Sequence, residues 1–579
     1  MTGSPLTAAA LLAAAVATVA IGAYGVRLSR TTSDFLVASR TVGPHWNAAA
    51  ISGEYLSAAS FLGVAGLIAK YGADALWYPV GFTAGYLGLL LFVAAPLRRS
   101  GAYTVPDFAE FRLGSALLRK VAMVVVIVVC VVYLVPQYQG AGLALKTLLG
   151  MPVWSGPLLV GVIVIANVVA GGMRSITFVQ AFQYWLKLTA VAVPALALVG
   201  LFATDRGELG GPLPPMVHQQ TTVTIETDVV VQVAQPAGIT VSGLLDGSPV
   251  TESPIATSGD HRLGAGSTMT LAAGATTPVL AGTPTTGREW ITSGTGLGGG
   301  HPMYQVLSII VATFLGTMGL PHVLVRFYTN RDGRAARRTA LAVIALLALF
   351  YLFPTLLGVF SRLYVPQLLI TGSADAAVLL APGAAIGGLS GQLLAALVAA
   401  GAIAAFLATS SGLLVSIAGA LATDVLRGRV RDFRLAAVVG GLIPMPLSLI
   451  TSGLELSRSV GLAFAVAAST LCPLLVLGIW WRGLTATGAA CGLIVGGGAS
   501  GLAVALAIGD VVDEGALGGW PAVMVGYPAA ITVPIAFVTM ILVSRFTRAR
   551  APADVASVFA RMHVPERLGM GIERVPRGG

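Results

Sequence analysis

The stretch Gly316-Thr-Met-Gly-Leu-Pro-His322 lies inside a hydrophobic segment, residues 303–327, that is long enough to cross a membrane. Pro321 lacks a backbone N–H and clashes with the preceding helical turn, and Gly316 and Gly319 add flexibility beside it. A helix broken at this point has backbone carbonyls free for other partners, such as a bare cation. The stretch therefore predicts an interrupted membrane helix, although glycine and proline are also common in uninterrupted ones.

A second interruption is predicted in the hydrophobic segment at residues 46–69. Four small residues punctuate this segment, namely Gly53, Ser57, Ser60 and Gly63. Two broken helices in corresponding positions of two halves of a chain are typical of secondary transporters built from inverted repeats, whose binding site lies near the bilayer midplane. The two stretches together indicate a transporter of this kind.

The composition agrees with a polytopic membrane protein. Of the 579 residues, 56% are apolar and 10% are charged, and the mean hydropathy is +0.86. Soluble domains contain about 25% charged residues. We therefore expect an all-α polytopic membrane protein with thirteen transmembrane helices, each containing the roughly 20 apolar residues that a bilayer requires. The predicted helices cover residues 5–26, 46–69, 75–97, 121–148, 152–173, 177–203, 303–327, 337–363, 388–422, 433–452, 458–480, 485–508 and 521–545.

The composition also excludes other kinds of protein. Cys130, Cys472 and Cys491 have no paired spacing, which excludes a disulfide framework and a thiolate metal cluster. The formal charge of +10 arises from 34 basic and 24 acidic residues and gives no reason to expect a nucleic-acid partner. The expected surroundings of the chain are the lipid bilayer.

The basic residues predict the orientation of the chain in the membrane. Residues 1–5 contain no lysine or arginine, whereas Arg27, Arg30 and Arg40 follow the first helix. Because cytoplasmic loops are enriched in these residues, we expect a retained first helix with the N-terminus outside. The later basic clusters fall on the inner side, at positions 98–99, 112–120, 174, 331–338, 427–431, 482 and 545 onward. We expect a multi-pass protein of a bacterial plasma membrane with a cytoplasmic C-terminus.

The largest polar segment, residues 204–302, is assigned to the outside. It contains eight acidic and three basic residues, and residues 222–233 (TVTIETDVVVQV) alternate partly as in a strand. Clusters of Gly, Pro, Ser and Thr follow. We predict a small β-rich extracellular insertion, with an irregular, flexible loop as the alternative.

Two charged residues lie deep within predicted membrane helices, Glu54 in the second and Lys187 in the sixth. Charges at this depth are costly and indicate functional sites by default. Glu54 has an alternative role as a carboxylate that is hydrated near the interface. Lys187 lies too centrally for its side chain to reach water, which favours an ammonium group that is paired or faces a cavity. We expect these two coupling charges to pair with each other, or Lys187 to pair with a substrate carboxylate.

The ninth predicted helix contains a hydroxyl cluster in the stretch Ala404-Ala-Phe-Leu-Ala-Thr-Ser-Ser-Gly412. A hard cation takes oxygen ligands, so these hydroxyls could complete a cage begun by freed carbonyls on another helix. The alternative is that each hydroxyl bonds to the carbonyl four residues earlier in its own helix.

These motifs resemble the sodium:solute symporter family, and within it the branch of acetate and monocarboxylate symporters. The resemblance rests on residues 32–40 (TSDFLVASR), 54–66 (EYLSAASFLGVAG) and 319–328 (GLPHVLVRFY). It implies a LeuT-like core, in which the second to eleventh helices form two inverted five-helix repeats. The chain then divides into residues 1–44 (an extra helix and inner loop), 45–203 (first repeat), 204–302 (insertion), 303–480 (second repeat), 481–547 (two C-terminal helices) and 548–579 (cytoplasmic tail).

The resemblance also implies a Na⁺ site. Its backbone ligands in the broken second helix fall on Gly53 and Leu56, and the other ligands fall on the ninth helix. There the family's positions correspond to Ala405, Ala408 and Thr409, with Ser410 one residue later. This chain has Ala408 where many members have a hydroxyl. No cofactor is expected other than Na⁺ as the coupling ion.

The function implied is not enzymatic but Na⁺-coupled import of small monocarboxylates (acetate, propionate or pyruvate) by alternating access. Five polar residues are placed to contact the substrate, or alternatively to join helices by hydrogen bonds, namely Tyr55, Gln137, Gln139, Thr317 and Ser469. Alternatives are a symporter for another small solute, such as an amino acid or a sugar, and coupling to a proton carried by Lys187. A transporter-like membrane sensor is a third alternative, for which the tail beyond Phe546 is short. The protease, hydrolase and nucleotide-binding motifs HExxH, GxSxG and GxxxxGK[ST] do not occur in a suitable context.

Overall fold

The computed structural model describes most of the chain. The described ranges are residues 5–26, 43–205, 209–225, 228–294, 296–298, 300–370, 372–426, 429–451, 454–512, 517–550, 552 and 554–565. The motif at 32–40, the basic residues Arg27, Arg30 and Arg40, and the end of the predicted tail lie outside these ranges.

The described chain is mostly helical, and we number its long helical segments 1 to 13 in chain order. Segments 1 to 4 are Pro5–Val26, Pro44–Tyr55 with Ala59–Tyr71, Trp77–Ser100, and Ala116–Leu149. Segments 5 and 6 lie within Ser155–Asp205 on either side of Gly172, whose φ of 58° and ψ of −160° are not helical. Segments 7 to 9 are Pro302–Gly319 with Pro321–Tyr328, Gly333–Tyr364, and Gly388–Asp424. Segments 10 to 13 are Val430–Leu442 with Pro444–Ile450, Leu456–Ala468 with Leu471–Trp480, Ala486–Val512, and Gly519–Gly526 with Ala529–Phe546.

Shorter helices lie between these segments or follow the last of them. The α-helices are Val105–Leu113, Gly287–Ile291, Ala377–Ile386 and Val555–His563, and the 3₁₀ turns are Gly72–Leu76, Pro366–Ile370, Gly372–Ala376 and Arg548–Arg550.

Among the described residues, eleven helical stretches are long and apolar enough to cross a membrane. Two of them, Ala59–Ser100 and Ser155–Thr204, contain 42 and 50 residues, which is at least twice the roughly 20 that one crossing needs. Each contains a glycine with positive φ, Gly72 in the first and Gly172 in the second. The protein is therefore a polytopic helical membrane protein.

Residues 221–280 form a seven-stranded antiparallel sheet. Its strands are β1 (Thr221–Thr224), β2 (Val229–Val233), β3 (Ile239–Leu245), β4 (Ser248–Pro254), β5 (Gly259–Leu263), β6 (Thr268–Leu271) and β7 (Val279–Leu280). The order is β1-β6-β3-β5-β2-β7, and β4 pairs with β3. Alternate residues of the strands, such as Ile239 and Val241 in β3, are buried and form a small core that also contains Ile370. β1 and β2 fall on the run 222–233.

The residues that follow the sheet are hydrogen-bonded to the ends of segments 2 and 8 and to the turn between segments 2 and 3, and residues 221–294 are called the sheet region below. The Trp290 indole N–H donates to the Ile68 carbonyl at 2.7 Å. The Arg362 guanidinium donates to the carbonyls of Ala69 and Pro284, both at 3.1 Å. Asp74 accepts hydrogen bonds from the Ser293 hydroxyl and from nearby backbone amides.

Segment 7 breaks at Leu320, which has φ −73° and ψ 115°. The helix before it ends at Gly319, and the helix after it begins at Pro321. A residue before proline is driven out of the α region, and proline at the first position of a helix loses no hydrogen bond. Gly316 lies inside the first helix, four residues before the break. The sequence motif thus produces the break at the residue that precedes proline.

Segment 2 breaks without a proline. Its first helix ends at Tyr55, Leu56 has φ −73° and ψ 89°, and a π-helical turn starts at Ala59. The carbonyls at the end of the first helix therefore lack the usual amide partners of a continuous helix.

Candidate functional site

The two breaks lie side by side at a fully buried centre. The Tyr55 hydroxyl lies 2.8 Å from the Thr317 hydroxyl and donates to the Phe82 carbonyl at 3.1 Å. Tyr55 ends the first helix of segment 2, and Thr317 lies three residues before the break in segment 7. This contact joins two of the predicted substrate residues at the breaks.

Aromatic side chains surround the contact between the breaks. The Tyr55 ring packs edge-to-face against Tyr86 and Phe464, with centroid separations of 4.9 and 6.2 Å. The Tyr133 ring packs in the same way on Phe464 at 5.6 Å. All of these rings are buried, so aromatic side chains enclose the contact between the two hydroxyl groups.

Gln137 is a further predicted substrate residue that lies at the break. Its Oε1 accepts a hydrogen bond from the Ala58 backbone N–H at 2.9 Å. Ala58 lies just after the break in segment 2, where backbone amides lack helical partners. Gln137 therefore connects segment 4 to the start of the second half of segment 2.

Two other predicted substrate residues lie elsewhere. The Gln139 side chain donates to the Thr451 carbonyl and, at 2.7 Å, to the Thr451 hydroxyl at the end of segment 10. The Ser469 hydroxyl lies 2.7 Å from the Thr532 hydroxyl of segment 13. Both residues join helices, which was the alternative role for these polar side chains.

The expected pairing of Glu54 with Lys187 is wrong, because Glu54 pairs with Arg326. The Arg326 Nε donates to Glu54 Oε2 at 2.6 Å, and both side chains are almost completely buried. Arg326 also donates to the Thr177 hydroxyl at 2.7 Å and to the Gln180 side-chain oxygen. Arg326 lies on the second helix of segment 7 and reaches from there to segments 2 and 6.

Lys187 is fully buried and contacts the carbonyl groups at the break in segment 2. Its Nζ donates to the Leu56 carbonyl at 2.7 Å and to the Gly53 carbonyl. These are the two backbone oxygens expected to bind Na⁺. An ammonium group at this position satisfies carbonyls at a helix C-terminus, where the helix dipole also favours a positive charge.

The predicted ligands on segment 9 lie next to the same break. The Thr409 hydroxyl donates to the Glu54 carbonyl at 2.6 Å, and the Ala408 carbonyl accepts from Gln180 Nε2 at 2.8 Å. Ala405 is buried, and the Ser410 hydroxyl is buried without a hydrogen-bond partner. Segment 9 therefore packs against the break as the sequence predicts, but its polar atoms bond mainly to protein groups.

The residues expected to hold Na⁺ do not fit that ion in this arrangement. The Gly53 and Leu56 carbonyls accept from Lys187, the Ala408 carbonyl accepts from Gln180, and the Thr409 hydroxyl donates to a carbonyl. A Na⁺ on the same carbonyls would lie close to the ammonium group. Two unit charges about 4 Å apart repel by about 4 kcal/mol at an effective dielectric constant of 20.

His322 is a residue of the centre that the sequence analysis did not single out. It is the second residue after the break in segment 7, its ring packs on Tyr133 at 5.3 Å, and its side chain is fully buried. Neither ring nitrogen has a hydrogen-bond partner. The sequence does contain one indication that His322 lies at the site, because it directly follows the helix-breaking proline in the stretch Gly319-Leu-Pro-His322.

Two broken helices whose breaks meet at a buried polar centre are typical of secondary transporters. The family model described as "Sodium:solute symporter family" matches residues 35–236 and 283–496, which is more than half of the chain. The chain belongs to the sodium:solute symporter family. It is therefore a symporter and not an enzyme.

Two curated relatives and one solved structure agree with this assignment. An uncharacterized symporter of Bacillus subtilis, YwcA, is 29% identical over 533 residues, which cover 90% of this chain and 90% of that protein. A monocarboxylic acid transporter of Corynebacterium glutamicum is 29% identical over 572 residues, covering 95% of this chain and 93% of that protein. The structure of a Na⁺-coupled sialic acid symporter in a substrate-bound outward-open state matches with a TM-score of 0.59 and 14% identity, covering 93% of this chain and 98% of that one. The last match concerns the fold alone.

Proposed function

We propose that this symporter imports small monocarboxylates, such as acetate, propionate and pyruvate, by cation-coupled alternating access. The similarity to the monocarboxylic acid transporter along nearly the whole length of both chains supports this substrate class. The motifs at residues 54–66 and 319–328, which suggested the monocarboxylate branch, form the two breaks.

The observation that carries the proposal is a surplus of positive charge and of free donors at the breaks. Glu54, Arg326 and Lys187 are the charged side chains that meet there among the described residues, and together they amount to one net positive charge when ionised. A carboxylate in this centre would neutralise that charge. The His322 ring has an N–H that lacks an acceptor in either neutral tautomer. We propose that this N–H binds the substrate carboxylate.

The surroundings of His322 favour a small substrate. Tyr133 packs directly on the His322 ring, and Phe464 packs on Tyr133. Apolar walls with few polar groups are typical of small-molecule sites. A short alkyl chain would contact the aromatic rings while its carboxylate faces His322.

For the membrane arrangement, we propose that segments 1 to 13 each cross the bilayer once. The stretch Ala59–Ser100 then belongs to two crossings, segments 2 and 3, which are separated at Gly72. The stretch Ser155–Thr204 likewise contains segments 5 and 6, which are separated at Gly172. The N-terminus and the sheet region lie outside, and the C-terminus lies in the cytoplasm of a bacterium. The fold similarity to the sialic acid symporter supports a LeuT-like core of two inverted repeats in segments 2 to 11.

The first experiment measures uptake by proteoliposomes that contain the purified chain. Labelled acetate, propionate, pyruvate, proline and glucose are each tested under an inward Na⁺ gradient and under an inward proton gradient. We expect accumulation of the three monocarboxylates only. Uptake of proline or glucose instead would contradict the substrate class while leaving the family unchanged.

The same assay identifies the coupling ion. Na⁺ is the ion that family membership implies. Proton coupling is the second candidate, because Lys187 contacts the carbonyls at which Na⁺ was expected. Accumulation under only one of the two gradients identifies the ion that drives uptake.

The role of His322 is tested with two variants. His322→Phe keeps an aromatic ring but removes the donor, and we expect the KM for acetate to rise about tenfold or more, since a hydrogen bond to a charged group contributes about 1.5–3 kcal/mol. His322→Gln keeps an N–H and should raise the KM less. An unchanged KM in His322→Phe would show that the substrate carboxylate binds elsewhere.

A further inference from the structure

The Lys187 side chain lies where a bound cation would lie. Its Nζ contacts the Gly53 and Leu56 carbonyls, and these two oxygens come from the end of a helix that stops at Tyr55. A lysine of segment 6 thus supplies a positive charge to carbonyls that have no amide partner within their own helix. We propose that the Lys187 ammonium is the resident cation of this site, and that the chain binds no Na⁺ at these carbonyls.

The surrounding contacts hold the lysine in this position. Gln180 lies two helical turns before Lys187 on the same segment, and it bonds to both the Ala408 carbonyl and Arg326. The Thr409 hydroxyl donates to the carbonyl of Glu54, a residue that lies in the sequence between Gly53 and Leu56, whose carbonyls Lys187 contacts. Gln180, Arg326 and Thr409 therefore already have partners, and a cation bound at these groups would have to displace some of those hydrogen bonds.

Two substitutions separate the effect of the Lys187 charge from the effect of the space that its side chain fills. If the ammonium replaces a metal ion, removal of the side chain leaves two carbonyls and a space that Na⁺ can enter. Lys187→Ala should then gain a Na⁺ site. Lys187→Arg keeps a cation at the same place and should not gain one.

The test measures ²²Na⁺ binding to the purified full chain in detergent, with choline replacing Na⁺ as the reference. We expect no saturable binding that depends on Thr409 in the wild type. Lys187→Ala should bind at least about tenfold more ²²Na⁺ at a low Na⁺ concentration, and adding Thr409→Ala to it should reduce that binding. Lys120→Ala, which removes an exposed lysine, serves as the matched control and should behave as the wild type.

Two results would overturn the proposal. One is saturable ²²Na⁺ binding by the wild type that Thr409→Ala weakens. The other is a Lys187→Ala protein that stays folded and monodisperse but binds no more Na⁺ than the wild type. If Lys187→Ala does not fold, Lys187→Gln replaces it, and the wild-type measurement decides the matter by itself.

This inference rests on the proposed symport function, because the site it concerns is that of a coupling ion. The binding assay contains no substrate, so its outcome and the outcome of the monocarboxylate uptake assay are distinguishable. Uptake driven by Na⁺ together with no Thr409-dependent binding would mean that Na⁺ binds at another place in the chain.

Discussion

Glu54 and Arg326 form an ion pair in which both side chains are removed from solvent. Taking two charges out of water is costly, and their attraction offsets that cost only when the remaining hydrogen-bonding positions are also satisfied. Arg326 meets this condition through Thr177 and Gln180. The pair therefore ties the two broken segments to segment 6 and fixes the breaks relative to each other.

Breaking this pair is expected to destabilise the protein strongly. Arg326→Gln leaves the Glu54 carboxylate buried without its ionic partner, and removing one member of a buried pair costs about 3–5 kcal/mol. We expect a large decrease in the thermal unfolding temperature of the purified protein.

Two comparisons make this expectation specific. The double variant Arg326→Gln with Glu54→Gln removes both charges and should recover part of the lost stability. Arg337→Gln changes an exposed arginine of segment 8 and should leave the unfolding temperature close to that of the wild type. A single Arg326→Gln variant as stable as Arg337→Gln would show that the ion pair contributes little.

The sequence could identify Glu54 and Lys187 as unusual because both are charged residues within hydrophobic stretches. It could not identify their partners. Arg326 lies near the predicted end of its helix, where an arginine is expected to face the cytoplasm. The break in segment 7 lies between the start of the helix and Arg326, and hydrophobicity alone does not predict which side chains Arg326 meets after it.

At the scale of the helices, glycine allows the broken segment 7 to pack closely against segment 11. A Cβ atom at residue 316 would lie 2.5 Å from the Phe464 carbonyl oxygen, and one at residue 319 would lie 2.5 Å from the Ala467 carbonyl oxygen. Small residues at helix interfaces allow such close approach in membranes. The glycines therefore allow close helix packing, whereas Pro321 sets the position of the break.

Gly316→Ala is expected to destabilise the protein by about 1–3 kcal/mol, the usual cost of placing an extra group in a packed interior. Gly498→Ala in segment 12 is the matched control, because a Cβ at that position would have no neighbour within 4 Å apart from the backbone of its own helix. There alanine should stabilise the helix by about 0.5–1 kcal/mol. Thermal unfolding of both purified variants checks the prediction, and equal unfolding temperatures would contradict it.

The two breaks differ in how well the sequence predicts them. In segment 7 the proline fixes the position, because the residue before it avoids helical geometry. In segment 2 the small residues indicate a weak region between Gly53 and Gly63, but the break occurs at Leu56 and no side chain there enforces it. Its position depends on contacts with other segments, such as those of Lys187 and Gln137.

At the scale of the whole molecule, most of the sheet region lies outside the part of the chain that the family model matches. The family model matches the chain on both sides of residues 237–282, which include β3 to β7. The sequence indicated a strand-forming composition for this region. The order of the strands could not be predicted, because β1 and β6 are paired across more than forty intervening residues and many antiparallel orders satisfy the same alternation.

The attachment of the sheet region places it at one end of segments 2, 3 and 8. Trp290, Arg362 and Asp74 make the connecting hydrogen bonds. The other end of segment 8 begins at Gly333 and contains Arg337, within the basic cluster at 331–338. Because basic loops face the cytoplasm, this arrangement leads us to expect the sheet region outside the cell.

Cysteine labelling of intact cells tests this orientation. Ser258 is exposed in the sheet region, so Ser258→Cys adds a thiol with little change in size, and Arg337→Cys adds one at the opposite end of segment 8. Both are made with Cys491→Ser, since Cys130 and Cys472 are buried. A membrane-impermeant maleimide should label Ser258→Cys directly and Arg337→Cys only after the cells are permeabilised. The reverse pattern would contradict the predicted orientation of all thirteen segments. Their orientation rests on basic clusters that face the cytoplasm, and the cluster at 331–338 would then face outward.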